Sequence, residues 1–137
     1  MSALTQAEKL LGTMGTFFLA TLREDGMPDV RAISAVKADG FKRIWMISGE
    51  DSSKAGELAV DPRCMIYATT MDDDADYAEV RLWGRCEILA DETTIDSVWH
   101  DAYEAYFPQG KRDPKVRVIR FTTDSGYITT QAGREEV

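Results

Sequence analysis

With 137 residues, 44% of them hydrophobic, the chain has the length and apolar content of one ordinary domain with its own core, spanning residues 1–137. Asp and Glu outnumber Lys and Arg by 24 to 16, for a formal charge of -8, which disfavours nucleic acid or an anionic membrane as the main partner. An anionic ligand would need a locally basic pocket. No apolar run approaches the ~20 residues of a membrane span, and residues 1–15 lack the charged start and apolar centre of a signal peptide, so a soluble, cytoplasmic protein is expected.

In chain order, Leu4, Ala7, Leu11 and Met14 fall on one helical face, with Thr5 to Glu8 as a capping box, and predict a helix over 2–14 that stops at Gly15. The β-branched and aromatic run 16–23 and the alternating run 29–37, joined by Glu24-Asp25-Gly26-Met27-Pro28, predict a hairpin. In its second strand Arg31, Ile33, Ala35 and Lys37 share one face, so Arg31 sits in a mostly apolar set. A third strand, RIWMIS over 43–48, leads to Asp51, Ser52 or Ser53 as the cap of a short helix ended by Pro62. Cys64 to Thr70 predicts a fourth strand.

Glu79 to Leu89 alternates with Val80, Leu82, Gly84, Cys86 and Ile88 on one side, a fifth and longer strand in which Gly84 marks a bend or a close approach. Asp91 caps a second long helix carrying Ile95, Val98, Trp99, Ala102, Tyr103 and Tyr106 at intervals of three and four. Val116 to Phe121 is the sixth strand, which Tyr127 to Thr129 would extend or follow, and 133–137 is expected to be a frayed tail. Six strands joined mainly by hairpin turns favour a mainly β protein with helices, its antiparallel sheet closed into a small barrel.

Most catalytic chemistries find no support. The one histidine, His100, lies inside a helical pattern, and no Gly-x-Ser-x-Gly elbow is present. No spacing predicts a metal site, and Asp72, Asp73, Asp74 and Asp76 lack the glycine and closing glutamate of a calcium loop. Cys64 and Cys86 lack zinc or redox spacing and read as buried reduced thiols. What remains is the stretch 30–58, where two strands and a helix start would bring together Arg31, Lys54, the hydroxyls of Ser52 and Ser53 and free backbone N–H groups. That combination suits a phosphate. Surface charges beside an ordinary helix cap would have the same pattern, and the residues alone leave both readings open.

The ordered set FFLATL, DGMP, Arg31-Ala32-Ile33-Ser34, IWMIS, Ser52-Ser53-Lys54, Pro62-Arg63 and Trp83-Gly84-Arg85 resembles the FMN-binding split-barrel proteins related to pyridoxamine 5'-phosphate oxidase, in their short, general-stress-protein-like branch. The resemblance runs from about Leu4 to Phe121. It implies a six-stranded antiparallel split β-barrel and a homodimer with FMN at the subunit interface. Arg31 and Lys54, with Ser52 and Ser53, would hold the FMN phosphate. Ala32, Ile33 and Ser34 would line the isoalloxazine ring, Ser48 and Trp45 would lie near the ribityl chain, and the Trp83 strand would come from the partner chain. Ser53 stands where such proteins often carry arginine, which removes one phosphate contact. No histidine follows Arg120, so the oxidase's substrate motif is missing. The expected activity is that of an FMN-dependent oxidoreductase of unknown substrate with a nicotinamide electron donor, and no catalytic residue is singled out. A noncatalytic flavin-storing stress module, or haem or deazaflavin on the same barrel, are the alternatives.

Overall fold

The structure is a computed structural model that describes residues 16–70 and 77–137. The helix expected over 2–14 and the aspartate-rich segment 72–76 lie outside the described residues. Eight strands form one antiparallel sheet: β1 (Thr16–Leu22), β2 (Pro28–Ser34), β3 (Lys37–Asp39), β4 (Arg43–Gly49), β5 (Arg63–Thr69), β6 (Ala78–Leu89), β7 (Val116–Thr130) and β8 (Gly133–Glu136). Helix α1 (Ser53–Val60) joins β4 to β5, and α2 (Glu92–Val98) follows β6. No helix among the described residues is long and apolar enough to cross a membrane.

The sheet runs β2-β1-β5-β6-β7-β4-β3, with β8 on the edge of β7 beyond β4. It curls into a half-barrel, because side chains from both ends of that order share one core: Phe17, Leu19 and Ile33 from β1 and β2 meet Ile44 and Met46 from β4. The inward phase of β6 is the expected one, with Val80, Leu82 and Cys86 buried while Trp83, Arg85 and Glu87 face outward. Leu58 and Ala55 turn α1 toward the interior, so the helix packs against β1 and β6.

Two strands exceed the expected six. After Ser34 the chain leaves β1 and pairs with β4 instead, Lys37 opposite Trp45, so the single run over 29–37 becomes β2 and β3. Alternation continues through that change of partner, which is why periodicity does not reveal it. The tail expected to fray forms β8, pairing Gly133 to Glu136 with Thr130 to Tyr127. Tyr127 to Thr129 belongs to the same strand as Val116 to Phe121, whose two faces are both buried. Ile119 and Phe121 fill the barrel, while Val116 and Val118 lie under Ile95 and Val98 of α2.

The long helix expected after Asp91 is also shorter. Asp91 caps α2 as foreseen, its carboxylate accepting the Thr94 N–H at 3.0 Å. Trp99 and His100 then adopt extended backbone, and a separate 3-10 turn runs from Asp101 to Ala105. His100 Nδ1 caps that turn by accepting the Ala102 N–H at 3.0 Å, a local bond that competes with helix continuation. Trp99 instead packs edge-on against Tyr103 at 5.5 Å.

Gly84 stands at a β-bulge: Trp83 opposes Ser125 and Gly84 opposes Thr123, so Asp124 is the extra residue. A Cβ on Gly84 would collide with the Thr122 carbonyl oxygen and come within 2.9 Å of Phe121 Cζ. Cys64 and Cys86 are free and buried, as expected, with their sulfurs 3.1 Å apart on the barrel side of β5 and β6. The neighbouring Cys64 thiol and burial push the Cys86 thiol pKa up, which keeps it protonated.

Candidate functional site

The site forms at the seam where the curled sheet brings β2 toward β4. β4 ends at Gly49, and the Ser52 N–H closes a turn onto the Gly49 carbonyl at 3.2 Å. The Glu50 N–H reaches the Lys115 carbonyl at 2.9 Å, and its carboxylate takes Arg117 Nη2 at 2.8 Å, so the turn is anchored to the β7 side. Ser52 then caps α1, its hydroxyl oxygen accepting the Ala55 N–H at 3.2 Å, and it lies 2.8 Å from the buried Ser48 hydroxyl. With Ala55 and Leu58 directed into the core, Lys54 is left half-buried at the cavity lip.

This seam opens into a cavity of about 550 Å³, within the range of cofactor pockets. Ala32, Ile33, Ser34 and Val36 form one wall; Met46, Ile47, Ser48 and Gly49 form the other. Asp51, Ser52 and Lys54 make the polar end, and Tyr103, Tyr106 and Phe107 stand at the aromatic end. Tyr106 is 80% exposed, while Phe107 is buried. The apolar walls suit a flat ring system, and the polar end suits an anion because the hydroxyls, the first N–H groups of α1 and Lys54 converge there.

Lys54 makes no ion pair among the described residues. Burial, and then the positive charge of Arg31, hold its pKa below the ordinary lysine value of 10.5. Such a cation gains from an arriving anion on both counts.

The structure thus brings together Ala32, Ile33, Ser34, Ser48, Ser52 and Lys54, and leaves Arg31, Trp45, Ser53 and Trp83 outside the cavity lining. Arg31, 18% exposed, points under α1. Its Nη1 donates to Thr21 Oγ1 at 2.7 Å and more weakly to the Leu19 carbonyl at 3.4 Å. Its Nη2 donates to Asp29 and Glu57, each at 2.9 Å. Thr21, only 1% exposed, in turn gives its proton to Glu57. That hydrogen bond first, and Arg31 with it, holds the Glu57 carboxyl below the usual glutamate range. Trp45 packs in the cluster beneath α2 with Lys37 Nζ 4.8 Å from its ring centre, Ser53 faces solvent at the first turn of α1, and Trp83 faces out from β6.

Tyr103, Tyr106 and Phe107 were not legible as site residues, because Tyr103 and Tyr106 read as part of one core-facing helical stripe; the clustering of three aromatics within five residues was the available signal. Thr21 carried a clearer one. It shares the phase of Phe17 and Leu19, so a polar group on a core face called for a partner.

The half-barrel carries a cleft that joins an apolar slot to a helix start where the Ser48 and Ser52 hydroxyls and Lys54 converge. The chain belongs to the pyridoxamine 5'-phosphate oxidase family, whose sequence profile matches residues 4–130. Among solved structures it is similar to a Clostridium acetobutylicum protein related to general stress protein 26, with a TM-score of 0.83 and 24% identity, covering 100% of this chain and 96% of that one. General stress protein 26 from Bacillus anthracis gives 0.80 and 17% identity over 100% and 98%. A heme-binding protein from Mycobacterium smegmatis gives 0.77 and 19%, covering 100% of this chain and 58% of the other. At these identities the structural likeness concerns the fold alone. No curated protein sequence matches the chain.

Proposed function

We propose that the chain is a dimeric FMN-binding flavoprotein, an oxidoreductase whose substrate its residues do not name. The observation that carries this reading is the half-buried Lys54, without an ion pair among the described residues, beside the Ser48–Ser52 hydroxyl pair at the end of an apolar slot. Those residues fit FMN: Lys54, Ser52 and the first N–H groups of α1 would hold the phosphate, and Ala32, Ile33 and Ser34 would lie along the isoalloxazine. FMN, when bound, supplies the redox chemistry, with a nicotinamide dinucleotide as electron donor. The chain's own residues bind and orient it, and the apolar walls exclude water. A haem held by an axial histidine is less well supported, since the single histidine caps the 3-10 turn and is not among the residues lining the cavity.

The homodimer draws support from the outer face of the sheet. Phe18, Met65, Tyr67, Trp83 and Tyr127 fall on neighbouring strands of that face, and Trp83 is 36% exposed. Both of the described α-helices pack elsewhere. Within the face Arg81 Nε is buried with no hydrogen-bond partner among the described residues, although it lies 3.6 Å from a Glu79 carboxylate oxygen and its guanidinium 5.8 Å and 5.9 Å from the rings of Trp83 and Tyr127. A second copy would cover this surface and bring the partner subunit's Trp83 toward the flavin.

Absorbance spectra of the purified protein with added FMN, before and after NADPH, test the function. Bound flavin that bleaches with NADPH supports an oxidoreductase. Bound flavin that stays oxidised favours the storage module, and protein that takes up no FMN refutes the flavin reading.

A further inference from the structure

Arg31 and Lys54 are both cations beside one cavity, yet only Lys54 lines it. The difference lies in Glu57, one helical turn beyond Lys54. Arg31 donates to Thr21 and to Glu57, and Thr21 donates to Glu57, so the three side chains form a closed cycle that ties α1 to β1 and β2. Glu57 is 15% exposed and Thr21 essentially buried, so the ring of bonds is largely shielded from water. Asp29 adds a second carboxylate to Arg31. Behind Lys54 at the anion end of the cavity therefore stand one cation, Arg31, and two carboxylates, and Asp51 adds another acid to the lining. The local charge available to a phosphate is smaller than the number of basic residues suggests.

We infer that Glu57 sets how strongly this site prefers a phosphorylated flavin over an unphosphorylated one, by holding Arg31 out of the cavity and offsetting its charge. This rests on the flavin reading above. Glu57 would touch neither ring nor phosphate; it is a positioning residue that acts through Arg31. Removing its charge while keeping its shape weakens the hold on Arg31, which Asp29 alone then pairs, so that Arg31 can turn toward the phosphate and add one charge-assisted contact; riboflavin, which has no phosphate, does not sense the change.

The test is a double-mutant cycle with Glu57→Gln, Arg31→Gln and the double variant, each titrated with FMN and with riboflavin and each checked for folding by circular dichroism. Glu57→Gln is expected to raise the ratio of riboflavin to FMN dissociation constants by roughly tenfold, the size of one charge-assisted contact. In the Arg31→Gln background the same substitution should shift the ratio far less. An unchanged ratio in folded Glu57→Gln protein, or an equal effect in both backgrounds, overturns the inference. A readout without flavin separates it from failure of the FMN reading: nuclear magnetic resonance titration of the Lys54 amine. Glu57→Gln should lower the Lys54 pKa further, because less negative charge then offsets Arg31. An unmoved Lys54 titration overturns the inference even if no flavin binds.

Discussion

Replacing Lys54 by Met removes a cation at the cavity lip that has no ion pair among the described residues, while keeping an apolar stem of similar length. A charge-assisted contact to phosphate contributes about 1.5–3 kcal/mol. Lys54 is only half-buried, and Ser48, Ser52 and the helix N–H groups remain, so the lower end of that range applies. The FMN dissociation constant should rise about tenfold, since 1.4 kcal/mol is one decade, while that of riboflavin moves by less than about twofold. Flavin fluorescence titration measures both. The same contact has a pH signature. Lys54 titrates below 10.5, so its contribution to FMN binding should fade at a lower pH than for an exposed lysine, and Lys54→Met should lack that limb. Equal weakening of both flavins, or an unchanged preference for FMN, would refute the assignment of Lys54 to the phosphate.

Three further outcomes follow from the fold. Gly84→Ala should destabilise by about 3 kcal/mol or more, because the obstructing Thr122 carbonyl is backbone and cannot swing aside; an unchanged melting temperature would contradict the close approach. The Glu57 carboxyl titrates lower in the folded chain than in the unfolded one, so the unfolded chain takes up its proton first as pH falls. Its stabilisation is complete above 4.5 and is lost toward lower pH, and Glu57→Gln should flatten that decline between about pH 5 and 3 in denaturant melts. Trp83→Glu should convert the proposed dimer to monomer in analytical ultracentrifugation, and a dimer that persists would place the interface elsewhere.

Several elements were legible because they depend on local pattern. The alternation of β6 selects its core face without reference to any partner, and Gly84 interrupts it where only a hydrogen fits against β7. A cap among Asp51, Ser52 and Ser53, followed by a helical run and then Pro62, bounds α1 from chemistry within one short segment, which also leaves Lys54 near its start; the structure picks Ser52 as the cap. Asp91 marks the start of α2 in the same way.

What local pattern does not carry is the identity of the neighbour. Arg31 has the right residue type and the right strand for a phosphate ligand, yet it is bound to Glu57, 26 residues away, because strand pairing and the seat of α1 bring the two together. The switch of partner between Ser34 and Lys37, the pairing of the C-terminal residues as β8, and the gathering of Tyr103, Tyr106 and Phe107 at the cavity end are of the same kind. The sequence by itself determined the core face of β6 and the starts of α1 and α2, since hydrophobic period and capping act over a few residues. Only the tertiary structure decided that Arg31 is neutralised by Asp29 and Glu57 while Lys54 has no ion pair among the described residues, since charge neutralisation depends on distances that the chain sets by folding.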